Sequence, residues 1–212
     1  MKRWGMLFIL LILAGAFRGA LMDAPFNRNG EGMGSFYGIL GRNYIEHGVM
    51  GTALMPILGV GTSPVAGDGV TLYPNHPPLV PLLVAGSYSL FGDGEWQTRL
   101  PTVLFTLGSI AVLYGMLLQR RGVRAAIFAA TIFAFVPITL RFGGQPDVIN
   151  SQLVFFVLLT VAAYLRLHAA PTAGRLTVLA AAFTLAAVTD WPAFYVVPVL
   201  CAHWAFTRHW RR

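Results

Sequence analysis

The feature that most constrains this chain is a series of long apolar stretches with almost no charge inside them, at 4–22, 100–118, 125–140, 148–165, 176–190 and 192–207. A helix that crosses a bilayer needs about 20 mostly apolar residues, because its backbone N–H and C=O groups find no water there. The last two stretches are short and need flanking residues to complete a crossing. A further apolar run, 78–91, spans about 21 Å as a helix, less than a hydrocarbon core of about 30 Å. It also carries Pro81, Gly86, Ser87 and Ser89. It is read as a helix lying at the membrane interface. The predicted fold class is therefore all-α: a polytopic membrane domain over 1–212 with about six transmembrane helices. The region 23–99 is an outer loop with interfacial helices.

Composition agrees. Hydrophobic residues make up 56% and charged residues 11%, against about 25% charged in a soluble domain. So few charges cannot cover a soluble surface, and disorder requires the opposite composition. The single cysteine, Cys201, excludes a disulfide framework and a cysteine metal cluster. The net charge of +7 would suggest nucleic acid in a soluble protein. In an apolar chain it reads as the charge bias of cytoplasmic loops, and no nucleic-acid partner is expected.

Charge also orients the chain. With the N-terminus in the cytoplasm and 78–91 not crossing, the inner side receives Lys2, Arg3, Arg120, Arg121, Arg124, Arg166, Arg175, Arg208, Arg211 and Arg212, and no acid. The outer side receives Arg18, Arg28, Arg42, Arg99 and Arg141 with all eight acids. A crossing at 78–91 would invert the 120–124 cluster, so the six-span arrangement, both termini cytoplasmic, is favoured. Lys2-Arg3 and Ala14-Gly15-Ala16 around the first stretch also fit a signal peptide. The five further stretches favour an uncleaved anchor. Arg18, near its outer end, is expected to snorkel to the headgroups.

The long outer loop is not low-complexity. Over 34–46, Phe36, Ile39, Leu40, Tyr44 and Ile45 recur at helical spacing, and Gly48 is placed to end the helix. Residues 51–69 are glycine-rich and irregular. Tyr73-Pro74-Asn75-His76-Pro77-Pro78 then leads into 78–91, a proline start that suits a helix N-terminus. The stretches themselves hold almost no ionisable groups, which argues against a proton or ion pathway. Chemistry is expected on the outer face.

Several short motifs occur in order along the chain: Ser35-Phe36-Tyr37 with Gly41-Arg42-Asn43-Tyr44; His76-Pro77-Pro78-Leu79; Leu90-Phe91-Gly92 with Glu95-Trp96 and Arg99-Leu100-Pro101; Pro146-Asp147; and Asp190-Trp191-Pro192-Ala193. In these the chain resembles membrane glycosyltransferases of family 39. That group comprises the dolichyl-phosphate-mannose protein mannosyltransferases and the lipid A aminoarabinose transferases. The resemblance implies the N-terminal half of a GT-C fold in the inner membrane, with its active face outward and a sugar carried on a polyprenyl phosphate as donor. The acceptor is not implied. Many members carry an Asp-Glu pair close before the loop tyrosine. Here Met33-Gly34-Ser35-Phe36 precede Tyr37, and Glu31 is the nearest acid.

Transfer from a lipid phosphate needs a base for the acceptor and positive charge or hydrogen bonds for the departing phosphate. Glu31 is the candidate base and Asp147 a second acidic site residue, which would invert the sugar in a single in-line step. Arg28, Arg42, Arg141 and His76 are candidate phosphate or substrate contacts, and Tyr37 and Asn75 candidate sugar contacts. The bland alternatives are a solvated loop carboxylate for Glu31, a helix N-cap for Asp147 and headgroup anchoring for the arginines. The two acids could share a divalent cation, but two carboxylates do not define a metal site and none is assigned. Asp190 is expected to cap the turn before Trp191-Pro192, Gly92-Asp93-Gly94 to be a turn, Cys201 to be a packed thiol, and His168 and His203 to be interfacial. The alternative function is a non-catalytic membrane subunit or fragment that binds lipid or a partner helix bundle.

Overall fold

The computed structural model describes residues 3–26, 32–51, 53–59, 72–146 and 151–209. Among the described residues it is helical throughout: α1 Arg3–Gly19, α2 Gly32–His47, α3 Leu79–Phe91, α4 Glu95–Arg121, α5 Val123–Phe135, α6 Pro137–Phe142, α7 Ser151–Ala169, α8 Ala173–Ala187, a 3-10 turn Trp191–Tyr195, and α9 Val196–His209. One isolated antiparallel bridge joins Ile57 to Leu72. Helices α4 and α7 are long and apolar enough to cross a membrane, while α3, α5 and α8 are apolar but shorter.

Helix α4 is the axis of the molecule. Its 27 residues make a rod of about 40 Å, against which α1, α3, α5 and α7 all pack. It presents a buried stripe of small hydroxyl residues, Thr98, Thr102, Thr106 and Ser109. Small side chains let helices approach closely where no hydrophobic difference separates the packed and solvated states. The hydroxyls also find partners: Thr102 accepts from Gln152 Nε2 at 3.1 Å, and Thr106 donates to Gly143 O at 2.9 Å. On α1, Leu7, Leu10, Ala14 and Arg18 face inward, while Phe8, Ile9, Ile12, Leu13 and Phe17 remain exposed. An apolar face left uncovered in this way is the pattern of a helix solvated by lipid.

Two prolines shape the core through the hydrogen bonds they remove. Pro101 lies inside α4 and cannot donate to the carbonyl of Gln97. Ser87 Oγ on α3 donates to that carbonyl instead, at 2.8 Å. Pro137 pushes Val136 into an extended conformation (φ −63°, ψ 141°) and divides the expected 125–140 helix into α5 and α6. Arg18 fills the break. Its Nη2 donates to Ala134 O at 2.8 Å and Thr139 O at 3.3 Å, and its Nη1 to Ala14 O at 3.0 Å. Arg18 is 4% exposed and does not snorkel: the carbonyls at the break hold the guanidinium inside.

The far side of the bundle is α7, α8 and α9. Tyr164 and His203 pair at 2.8 Å and His168 and Thr207 at 2.9 Å, tying α7 to α9. The two histidines thus belong to one interhelical contact. Cys201 is exposed on α9 instead of packed, since α9 turns most of its apolar side chains away from its neighbours.

Candidate functional site

Helices α2 and α3 form a layer beside the start of α4, and its contact is built for closeness. Tyr37, Leu40, Val80, Val84 and Tyr88 make its core. A Cβ placed on Gly41 would stand 2.7 Å from Val84 Cγ1, and one on Gly38 2.9 Å from the Tyr88 hydroxyl. Only glycine allows this approach. Gly48, at φ +76°, ends the helix run, its N–H bonded to Tyr44 O. Beyond it, Asn43 Nδ2 donates to Ile57 O and Gly59 O at 2.7 and 2.8 Å, and Tyr44 donates to Leu54 O at 2.6 Å. Burial pushes the Tyr44 hydroxyl up to about 12.

At the C-terminal end of α3 a cleft of about 470 Å³ is lined by Ser35, Arg42, Tyr88, Asp93, Glu95 and Thr98, among others. Arg42 reaches across it to Asp93, with Nε and Nη2 at 2.6 and 2.5 Å from one carboxylate oxygen. Both side chains are about half exposed, at 50% and 45%. The cleft floor is a Tyr88–Thr98 hydrogen bond. The loop Gly92–Gly94 is a turn, as its composition predicts, but Asp93 is also the partner of Arg42.

At the other end of α3, the segment before the helix is strapped to the turn that follows α8. Leu79 N donates to Val188 O at 3.3 Å, and Trp191 Nε1 to Asn75 O at 2.7 Å. Asp190 accepts from Trp191 N at 2.7 Å, so it caps the 3-10 turn. The same oxygen, Oδ1, lies 3.0 Å from His76 Nδ1. Asp190 is 2% exposed. The Tyr73 ring stacks on His76, centroids 5.8 Å apart and 25° between planes, and Phe36 of α2 meets Tyr73 edge-on at 5.0 Å. Burial, and then the Asp190 carboxylate, raise the Tyr73 hydroxyl above its ordinary value.

The structure thus treats the candidate residues differently. Arg42 opens onto the cleft, and His76 lies in the strap. Asn75 is exposed beside His76, and its carbonyl serves the strap. Tyr37 is 2% exposed within the α2–α3 core, so its role is to hold the layer. Arg141 is exposed at the end of α6, over the Phe142 ring at 5.4 Å. Arg28, Glu31 and Asp147 lie outside the described residues, as does any cation that Glu31 and Asp147 would share. Sequence reasoning passed over Asp93 and Asp190 as members of side-chain pairs. A turn signal is local, and neither partner is near in sequence. Arg99, also read only as part of a motif, is 2% exposed; its Nη1 donates to Met22 O and Ala24 O at 2.6 Å, and it lies 4.2 Å from the Phe26 ring centroid.

A family model described as dolichyl-phosphate-mannose-protein mannosyltransferase matches residues 75–212. The matched region opens at the strap and includes both His76 and Asp190. A Bacillus subtilis (strain 168) protein named "Putative mannosyltransferase YycA" is 34% identical over 111 residues. That alignment covers 52% of this chain and 16% of the relative, so the chain corresponds to a minor part of that protein. No solved structure matches the chain.

Proposed function

The chain belongs to the dolichyl-phosphate-mannose-protein mannosyltransferase family, and from that premise we propose that it transfers a sugar from a polyprenyl-phosphate donor to an acceptor at the outer face of the inner membrane. Membership supports a membrane glycosyltransferase of the mannosyltransferase type. The finer reading adds the lipid-phosphate donor, the outer face and inversion. The observation that carries it is the match beginning at Asn75, which takes in the His76-Pro77-Pro78 segment and, across the strap, its partner Asp190.

Six crossings, at the six apolar stretches, would put both termini in the cytoplasm and the α2–α3 layer outside. Charge bias supports this, as do the uncovered apolar faces of α1, α8 and α9. The cleft and the strap would then share the outer side with the lipid phosphate. Glu31, directly before α2 in sequence, would take the acceptor proton, with Asp147 as second acidic residue. Arg28, Arg42, Arg141 and His76 would hold the phosphate, and Asn75 would contact the sugar. Arg42 is suited to such a role because an exposed ion pair is worth only about 0–1 kcal/mol. It can exchange Asp93 for a phosphate oxygen at little cost, and its planar fork offers two donors.

The test is transfer of labelled mannose from polyprenyl-phosphate mannose in membranes carrying the chain. Glu31→Ala and Asp147→Ala are each expected to lower the rate about a hundredfold or more. Transfer that survives both substitutions would remove the assigned chemistry and leave the non-catalytic reading. Topology is checked separately in a Cys201→Ser background. Gly94→Cys should react with an impermeant maleimide added outside, and Arg121→Cys should not.

A further inference from the structure

The Asp190–His76 contact exceeds what the fold around it requires. As a cap, Asp190 needs only the Trp191 N–H, which it has. As a tie between the strap and the end of α8, the contact is duplicated by Trp191 Nε1 on Asn75 O and by Leu79 N on Val188 O. What the contact alone decides is the state of the imidazole. An ionised carboxylate can only accept hydrogen bonds, so Nδ1 carries the proton whether the ring is neutral or cationic. The remaining nitrogen, Nε2, bonds to nothing among the described residues. The His76 side chain retains 23% exposure while Asp190 retains 3%. The accessible part of the pair is therefore the imidazole. Tyr73 on the ring face hinders rotation, and the strap fixes the backbone. Asp190 and Tyr73 are the titratable groups against the ring among the described residues.

We propose that Asp190 is a positioning residue for His76: it accepts from Nδ1–H and so turns Nε2 outward, where in the imidazolium form Nε2–H meets a phosphate oxygen of the lipid-linked sugar. In the imidazolium, Nε2–H is a charge-assisted donor to that oxygen, and the buried carboxylate behind it balances the charge. A group held by its neighbours loses little freedom on binding. The phosphate role rests on the transferase reading above; the tautomer does not.

Two measurements test this. In chain labelled with ¹⁵N-histidine and held in detergent, with His76→Gln identifying the resonance, His76 should carry its proton on Nδ1. In Asp190→Ala it should revert to a mixture rich in the Nε2–H form. A proton on Nε2 in the native chain, or a tautomer unchanged in Asp190→Ala, overturns the proposal. In the transfer assay, Asp190→Ala should raise KM for polyprenyl-phosphate mannose about tenfold, with a smaller fall in kcat. Asp190→Asn, whose amide oxygen can still accept from Nδ1 and cap Trp191, should recover part of the loss. Trp191→Phe, which removes one tie of the strap and leaves the pair intact, should keep the native KM. An unchanged KM in Asp190→Ala, or an equal rise in Trp191→Phe, overturns the positioning role while transfer by the native chain stands. Absence of transfer by the native chain instead overturns the transferase reading and the phosphate role with it, and the tautomer measurement still decides the rest.

Discussion

Helix α3 has an acid paired with a basic side chain near each end, and the two pairs are opposites. The helix is 13 residues long, which separates its ends by about 20 Å. Near its C-terminus, Arg42 and Asp93 are joined at short distance, yet each is about half in solvent. Near its N-terminus, the His76–Asp190 contact is longer, at 3.0 Å, but Asp190 is buried and fixed by a second donor. Distance alone ranks the first pair as stronger. Burial reverses the order. Water competes for the exposed pair and pays most of the cost of separating it. The buried carboxylate has no such alternative, and breaking its contacts leaves donors without acceptors. One end of α3 therefore holds an exchangeable arginine and the other a committed imidazole.

The largest expected effect comes from breaking the committed end. Asp190→Ala leaves the Trp191 N–H and His76 Nδ1 without their acceptor and should destabilise the chain by about 3 kcal/mol. Thermal unfolding in detergent measures it. A loss as small as that of Asp93→Ala would erase the distinction between the two ends. Next is the layer that both ends depend on. Gly41→Val would drive its side chain into Val84, whose Cγ1 already lies 2.7 Å from a Cβ at that position, with Ala85 N at 3.2 Å. Overpacking of this kind costs about 1–3 kcal/mol. The damage should fall on the α2–α3 contact, read as faster proteolysis after α2, while the His76 ¹⁵N signal keeps its native tautomer.

A smaller effect is expected at Tyr44, which anchors the loop after α2 through Leu54 O. Tyr44→Phe should cost about 1 kcal/mol. The pH dependence has a definite sign. Burial raises the Tyr44 hydroxyl to about 12, so folding favours its neutral form. Its contribution is complete below the unfolded value of about 10 and is lost as pH rises through about 12. Melting curves between pH 8 and 12 should therefore fall less steeply for Tyr44→Phe than for the native chain. Equal slopes would place the alkaline loss elsewhere.

Much of the helical layout could be read from the sequence, because it depends on local signals. The amphipathic spacing of Phe36, Leu40 and Tyr44 marks α2, and Pro77-Pro78 marks the start of α3. The break at Val136 could have been anticipated from Pro137, since the residue before a proline avoids helical geometry. The apolarity of 125–140 obscured it. Arg18 was hidden for a different reason: it is held inside by carbonyls of two other helices, Ala134 on α5 and Thr139 on α6. The two pairs beside the ends of α3 were illegible in the same way. Arg42 and Asp93 are 51 positions apart, and His76 and Asp190 are 114 apart. Turn chemistry explained Asp93 and Asp190 locally, and nothing in a single sequence required a second role. The hydroxyl stripe from Thr98 to Ser109 did carry a signal, small residues at helical spacing in an apolar helix. It marks the face of α4 that packs.

The smallest effect is also the sharpest test of the exchangeable end. Asp93→Ala should cost less than about 1 kcal/mol, and the cost should shrink further as salt is raised, because exposed charges are screened over about 10 Å at 0.1 M. Its effect on transfer should have the opposite sign. On the proposed function Asp93 would compete with phosphate for the Arg42 guanidinium, so removing it should leave KM for the lipid-linked donor equal to, or up to about threefold below, that of the native chain. Arg42→Ala should raise the same KM, and Arg42→Lys should restore it only in part, since an ammonium lacks the two-pronged donor. If Asp93→Ala and Arg42→Ala both raised KM together, the two residues would act as one fixed unit. The cleft would then resemble the His76 end of α3, and its exposure would not be what makes Arg42 available.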